Sequence, residues 1–207
     1  MSAVSDDWLI DNPHGAPTLI LAHGAGAPFD TPFMNTIAQG VAAAGIRVVR
    51  FEFPYMRRRR TEGVKAGPNG AKILIACWHE IIDAVGPADK LFIGGKSMGG
   101  RIASMIADEL GVKGVVCLGY PFHPAGKPDK LRTEHLNRMK APTLIVQGTR
   151  DPMGRPDEVD EYNLSEAVTV QWIEDGDHSL KPRRRSGRTL EQNLAAAVAA
   201  TVTFLRD

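Results

Sequence analysis

Leu91-Phe92-Ile93-Gly94-Gly95-Lys96-Ser97-Met98-Gly99-Gly100 is the stretch whose reading decides the fold. It starts as a short apolar run of strand type and is followed by a helical stripe, Ile102, Met105, Ile106 and Leu110. Between them stands Gly95-x-Ser97-x-Gly99, a turn so tight that side chains two positions either side of the serine would collide. Such a turn lifts the serine hydroxyl clear of a sheet, at a helix N-terminus where backbone N–H groups favour developing negative charge. A phosphate-binding loop is the nearest rival, because Gly95-Lys96-Ser97 matches the end of G-x-x-x-x-G-K-[ST]. That motif needs a glycine where Lys90 stands and a loop where residues 91–93 read as strand. The rival fails on both counts.

Working outward, four apolar runs have strand length and β-branched content: residues 18–22, 47–51, 115–119 and 143–147. A shorter fifth covers residues 90–93, and a sixth, residues 168–173, closes on Glu174-Asp175-Gly176-Asp177. Helical stripes lie between them. Phe33, Ile37, Val41 and Ala44 make one, and Leu74, Trp78, Ile81, Ile82 and Val85 another. The last runs through Leu190, Leu194, Val198, Val202 and Leu205. Gly45, Gly86 and Gly111 sit just past three of the helices, where a left-handed closing residue is expected. Near-continuous apolar strands alternating with helices predict a mostly parallel sheet covered on both faces. Ligands of such sheets bind beyond the carboxyl ends of the strands, so the loops that follow strands carry the chemistry. No repeat or linker divides the chain, which reads as one domain over residues 1–207.

A serine hydroxyl is a weak nucleophile at neutral pH and needs an imidazole base, itself oriented by a carboxylate. In this architecture the chain order is Ser, acid, His. Asp151 follows the strand at 143–147, in Gly148-Thr149-Arg150-Asp151-Pro152. His178 follows the last strand, before the C-terminal helix. Ser97, Asp151 and His178 are therefore the candidate catalytic residues, with Asp175 and Asp177, on the histidine's own loop, as backups. His23 ends a strand and is read as orienting the loop after it. His123 follows a strand but has no evident carboxylate to serve it. An oxyanion hole should combine the backbone N–H of Met98 with one from His23-Gly24-Ala25-Gly26, where Ala25 is the expected donor and Gly26 the alternative.

Bulk properties narrow the classes. The 207 residues are 43% hydrophobic and 24% charged, the balance of a globular chain. With 25 Lys plus Arg against 24 Asp plus Glu, the overall field does not draw polyanions. The acidic start, Met1 to Asp7, has no secretory character, and no apolar run is long enough for a membrane span. Cys77 and Cys117 sit in apolar stretches and read as buried, reduced thiols. A cytoplasmic protein is expected, with no membrane and no nucleic acid among its partners.

These residues resemble the α/β-hydrolase superfamily, and within it the small, lidless, dienelactone-hydrolase-like branch. Phe53-Pro54-Tyr55-Met56, Gly119-Tyr120-Pro121-Phe122-His123-Pro124-Ala125-Gly126-Lys127-Pro128 and Gln147-Gly148-Thr149-Arg150-Asp151-Pro152 look like a bacterial group of that branch. The group is also similar to hydrolase-like domains of an animal testis-expressed protein and a chromatin-complex subunit. The resemblance covers the chain from about Thr18 onward and implies an α/β-hydrolase fold with helices on both faces of the sheet and the nucleophile after the fifth strand in family order. It also implies no cap domain, because the connection from Gly119 to Thr143 has no room for a helical lid. Dienelactone hydrolases carry a cysteine nucleophile where Ser97 stands here, so lactone specificity does not carry over. Only about seventeen residues precede the first clear strand, too few for the usual opening hairpin, so a sheet of six or seven strands is expected.

Two functions from different classes follow. One is a serine hydrolase cleaving a small ester or thioester through an acyl-enzyme, with no metal or organic cofactor. The other is a catalytically silent fold used as a binding or scaffold module. Two basic clusters, Arg57-Arg58-Arg59-Arg60 and Arg183-Arg184-Arg185 with Arg188, leave strand carboxyl ends. They read either as solvated charged loops or as a ring around the pocket mouth that favours an anionic acyl substrate or partner surface. The sequence sets no oligomeric state.

Overall fold

Alternation along the strands sorts the core into two layers. In β2 (Thr18–Ala22) Ile20 and Ala22 face one side of the sheet while Leu19 and Leu21 face the other. The same alternation runs through β5 (Gly114–Leu118) and β6 (Thr143–Gly148), with Val115, Cys117 and Ile145 on the first side and Val116, Leu144 and Val146 on the second. Helices α3 (Ala71–Val85) and α4 (Met98–Leu110) cover the first side with Trp78, Ile81, Ile102 and Ile106. Helices α1 (Pro32–Ala43) and α6 (Leu190–Arg206) cover the second with Ile37, Val41, Leu194 and Ala197. Fully burying each Leu, Ile or Val side chain contributes roughly 1.5–3 kcal/mol, so both faces are needed to hold so short a chain together.

These relations come from a computed structural model that describes residues 8–207. The N-terminal reading of Met1 to Asp7 lies outside the described residues. The remaining strands are β1 (Trp8–Asp11), β3 (Arg47–Phe51), β4 (Leu91–Lys96) and β7 (Val168–Ile173). The seven strands lie in the order β1-β3-β2-β4-β5-β6-β7. Every pairing is parallel except β1 with β3, where Trp8 faces Phe51. The chain is an α/β-hydrolase fold. β1 supplies the seventh strand, and Ser97 follows the fourth strand of this chain, in a sheet that opens on a single short edge strand instead of a hairpin. Between β5 and β6 the chain makes only a 3-10 turn, Leu136–Arg138, and carries no cap domain.

Two short elements escaped the sequence pattern. β1 is four residues long and lies at the sheet edge, too short for alternation to register. Helix α2 (Pro54–Glu62) holds the four consecutive arginines that read as a loop. It starts because Pro54 supplies a helical φ at its first position and stops at Gly63, whose φ of 67° is left-handed. Arg59 and Arg60 lie in its last turn, where the helix dipole is negative. The short α5 (Pro156–Val159) completes the helices.

Candidate active site

The turn after β4 is held open by three glycines in backbone contact. A Cβ on Gly95 would lie 2.2 Å from the Ala22 carbonyl oxygen, and one on Gly99 would lie 2.6 Å from the carbonyls of both Ala22 and His23. On Gly100 it would lie 2.6 Å from the Gly95 carbonyl. Ser97 itself sits at φ 50°, ψ −113°, a region that side-chain-bearing residues rarely occupy. Its N–H donates to the Leu118 carbonyl at 3.0 Å, and its own carbonyl accepts from Arg101 N–H at 3.0 Å, one turn into α4. The strain is thereby over-determined by β5 on one side and α4 on the other.

The three candidate side chains come from three loops and meet. Ser97 Oγ lies 2.9 Å from His178 Nε2, and His178 Nδ1 lies 2.7 Å from Asp151 Oδ2. Asp151 follows β6 and is fully buried; His178 follows β7 and is about a quarter exposed. The Asp151 carboxylate also accepts from Met153 N–H at 2.9 Å and from Gln147 Nε2 at 3.0 Å. As an acceptor it sets the imidazole with its proton on Nδ1, which leaves Nε2 to accept from the serine hydroxyl.

The backup acids Asp175 and Asp177, and the histidines His23 and His123, make contacts of their own. Asp175 accepts from Arg183 N–H at 2.6 Å and Arg183 Nε at 2.8 Å, and that guanidinium holds its carboxyl down at about 2. Asp177 Oδ1 accepts from the N–H groups of Ser179 and Lys181, shaping the histidine loop. His23 Nδ1 donates to Gly24 O at 2.7 Å while Nε2 accepts from Phe53 N–H at 3.1 Å, and burial pushes its pKa down. His123 does have a carboxylate beside it, Glu158 at 3.5 Å, contrary to the sequence reading.

Three residues to which the sequence reading gave no role complete the site. Gln147 is a fully buried amide at the end of β6, with Nε2 facing Asp151, Tyr120 O and Gly154 O, and Oε1 accepting from Tyr120 N–H at 2.7 Å. A polar residue closing an apolar strand was the available clue. Lys96 donates its ammonium to the His178 carbonyl and lies over the Phe33 ring, 5.2 Å from its centroid. Burial pushes its pKa down to about 8. Tyr55 donates its hydroxyl toward Ala25 O at 3.0 Å and Gly24 O at 3.3 Å, fixing the loop after β2.

Ser97 and His178 open into a cavity of about 820 Å³ whose walls include Ala25, Phe33, Met98, Arg101, Arg132 and Met153. Of the two readings of the arginine clusters, the ring around the pocket mouth does not hold. Neither Arg57-Arg58-Arg59-Arg60 nor Arg183-Arg184-Arg185 lines this cavity. Arg60 is paired with Glu52 at 2.7 Å and Asp30 at 2.9 Å, Arg58 with Glu62 at 3.1 Å, and Arg59 donates to Ala66 O at 2.5 Å. Arg183 is held by Asp175. Charges read as a surface cluster are largely spent on internal pairs, which sequence spacing does not reveal. Among the described residues no group of three His, Cys, Asp or Glu side chains is placed to hold a metal ion, and no helix is long and apolar enough to cross a membrane.

Residues 15–206 match a family described as an alpha/beta hydrolase domain. Solved structures of similar fold include XC6422 from Xanthomonas campestris, described as an α/β serine hydrolase without lid. It is 21% identical, with a TM-score of 0.65 over 95% of this chain and 88% of that one. A monoacylglycerol lipase from Paleococcus ferrophilus is 16% identical, TM-score 0.71, covering 95% of this chain and 98% of its own. Est1E from Butyrivibrio proteoclasticus, solved with ferulic acid, is 14% identical, TM-score 0.68, covering 97% and 96%. At these identities the likeness is one of fold.

Proposed function

This chain belongs to the alpha/beta hydrolase domain family, and on that premise we propose that it is a serine hydrolase cleaving a small ester or thioester through an acyl-enzyme. The observation that carries the reading is the continuous hydrogen-bonded line Asp151–His178–Ser97, 2.7 Å and 2.9 Å, opening into a cavity.

Ser97 Oγ attacks the acyl carbon as its proton passes to His178 Nε2, and buried Asp151 stabilises the imidazolium. The oxyanion is held by the backbone N–H groups of Met98 and Ala25. Met98 is the first residue of α4, so its N–H is free of the helix ladder. The case for Ala25 rests on the peptide plane. The Gly24 carbonyl is turned toward His23 and Tyr55, so the Ala25 N–H, trans to it, is turned the other way. Each such donor contributes about 3 kcal/mol to the transition state. Collapse expels the alcohol or thiol, which takes the proton from Nε2. Water then attacks the acyl-enzyme, giving its proton to Nε2, and the acid leaves as Ser97 recovers its hydrogen. The mechanism calls on no metal ion or organic cofactor.

A fluorophosphonate probe tests the assignment. Labelling of the wild type that vanishes in Ser97→Ala supports a serine hydrolase. A folded wild type that takes no label and turns over no acyl ester overturns it in favour of a binding or scaffold module.

A further inference from the structure

The cavity that contains Ser97 has an uneven charge. Lys96, Arg101 and Arg132 line it, and no aspartate or glutamate does. Lys96 is engaged with the His178 carbonyl, but the two arginines are not spent in this way. Among the described residues neither guanidinium makes a hydrogen bond or an ion pair, and Arg101 Nε is buried without a partner. The acids nearby are taken: Asp108 accepts from the N–H groups of Lys140 and Ala141, and Glu134 lies 3.6 Å from Arg138. The two cations also feel each other, since burial first and the Arg101 charge second lower the affinity of Arg132 for its proton. Two partly buried like charges that line one cavity without partners are costly unless an anion joins them.

From this arrangement we infer that Arg101 and Arg132 form an oxyanion-binding subsite, and that the substrate is an ester or thioester carrying a carboxylate or phosphate a few bonds from the scissile carbonyl. The inference rests on the hydrolase reading of Ser97 and names its substrate class. Arg101 stands four residues beyond Ser97, one turn into α4, where its N–H donates to the Ser97 carbonyl at 3.0 Å, so charge and nucleophile line the same cavity. A guanidinium presents paired N–H donors that match a carboxylate or phosphate, so two of them favour such a group over a neutral one. The tetra-arginine segment on α2 plays no part in this selection.

The test compares para-nitrophenyl pentanoate with the para-nitrophenyl hemiester of glutaric acid, equal in acyl length but bearing a terminal carboxylate. A second pair, para-acetoxybenzoate and its methyl ester, moves the charge to the leaving alcohol. In the wild type the charged member of at least one pair should be preferred in kcat/KM by about tenfold or more. In Arg101→Gln/Arg132→Gln that ratio should fall by about tenfold, and in Arg101→Lys/Arg132→Lys by less. Added salt should lower the wild-type ratio. Equal kcat/KM within both pairs overturns the subsite while leaving the hydrolase standing. Binding to Ser97→Ala separates the two readings. There, calorimetry should show monomethyl glutarate binding about tenfold tighter than methyl pentanoate, a difference lost when the two glutamines are added. Charge-dependent binding without turnover by the wild type keeps the subsite and removes the hydrolase; charge-blind binding removes the subsite.

Discussion

Gly95 and Ala22 meet backbone to backbone as paired residues of β4 and β2, so closely that a Cβ on Gly95 would fall 2.2 Å from the Ala22 carbonyl oxygen. The strained serine two residues on depends on that approach. Gly99, on the far side of the turn, meets the same carbonyl. Gly99→Ala should cost about 3 kcal/mol or more, seen as a fall in Tm of roughly 6–12 °C. Gly26→Ala, where an added Cβ meets nothing within 4 Å, should cost less than about 1 kcal/mol. Similar melting of the two variants would show that the turn accommodates a methyl group.

In the proposed mechanism the carboxylate behind His178 supplies both orientation and charge. An amide at position 151 either offers its N–H to Nδ1, reversing the imidazole tautomer, or accepts from it without a negative charge. Asp151→Asn should therefore lower kcat on an acyl ester by about 10³–10⁴ with KM little changed. Steady-state kinetics on folded protein decides it, and a loss under about tenfold would remove Asp151 from the catalytic role.

Arg60 closes a network between α2, the end of β3 and the α1 entry, bonding Glu52 through two nitrogens and Asp30 through two. Glu52 is nearly inaccessible, so losing its partner strands a buried charge. Arg60→Met should cost about 2 kcal/mol by urea unfolding, less than for a wholly buried pair because the arginine is half exposed. Arg58→Met removes only an exposed pair and should stay within about 0.5 kcal/mol. The preference between anionic and neutral esters should not change in either variant.

Lys96 gives a pH signature whose sign is the reverse of an ordinary salt bridge. Burial lowers its pKa to about 8 from 10.5, so between these values the unfolded chain binds the extra proton. Stability from this residue is therefore reduced below pH 8 and recovered as pH rises toward 10.5, by at most about 3 kcal/mol. Tyrosines and cysteines also titrate at high pH, so the quantity to follow is the difference in unfolding free energy between wild type and Lys96→Met. That difference should shift in favour of the wild type from pH 8 to 10.5. A constant difference would mean that Lys96 keeps its ordinary affinity for a proton in the folded protein.

What the chain alone determined is what depends on neighbours in sequence. The Gly95-x-Ser97-x-Gly99 turn, the alternation of β2, β5 and β6, and the stripes of α1, α3, α4 and α6 are local, so hydrophobic period and glycine placement expose them. The order Ser, Asp, His on loops after strands followed from the same logic. Partnership between distant residues was decided only by the tertiary structure. Asp151 and not Asp175 faces His178 because β6 and β7 are adjacent and Arg183 has taken Asp175. Gln147 and Lys96 look like ordinary strand-end residues until the loops of three strands converge on them. The arginines show it most plainly: four in a row drew attention, yet Arg58, Arg59 and Arg60 are bonded within the fold, while Arg101 and Arg132, thirty-one positions apart, share a cavity that no acid lines. Charge pairing acts through space over a few ångströms, and sequence spacing carries no record of it.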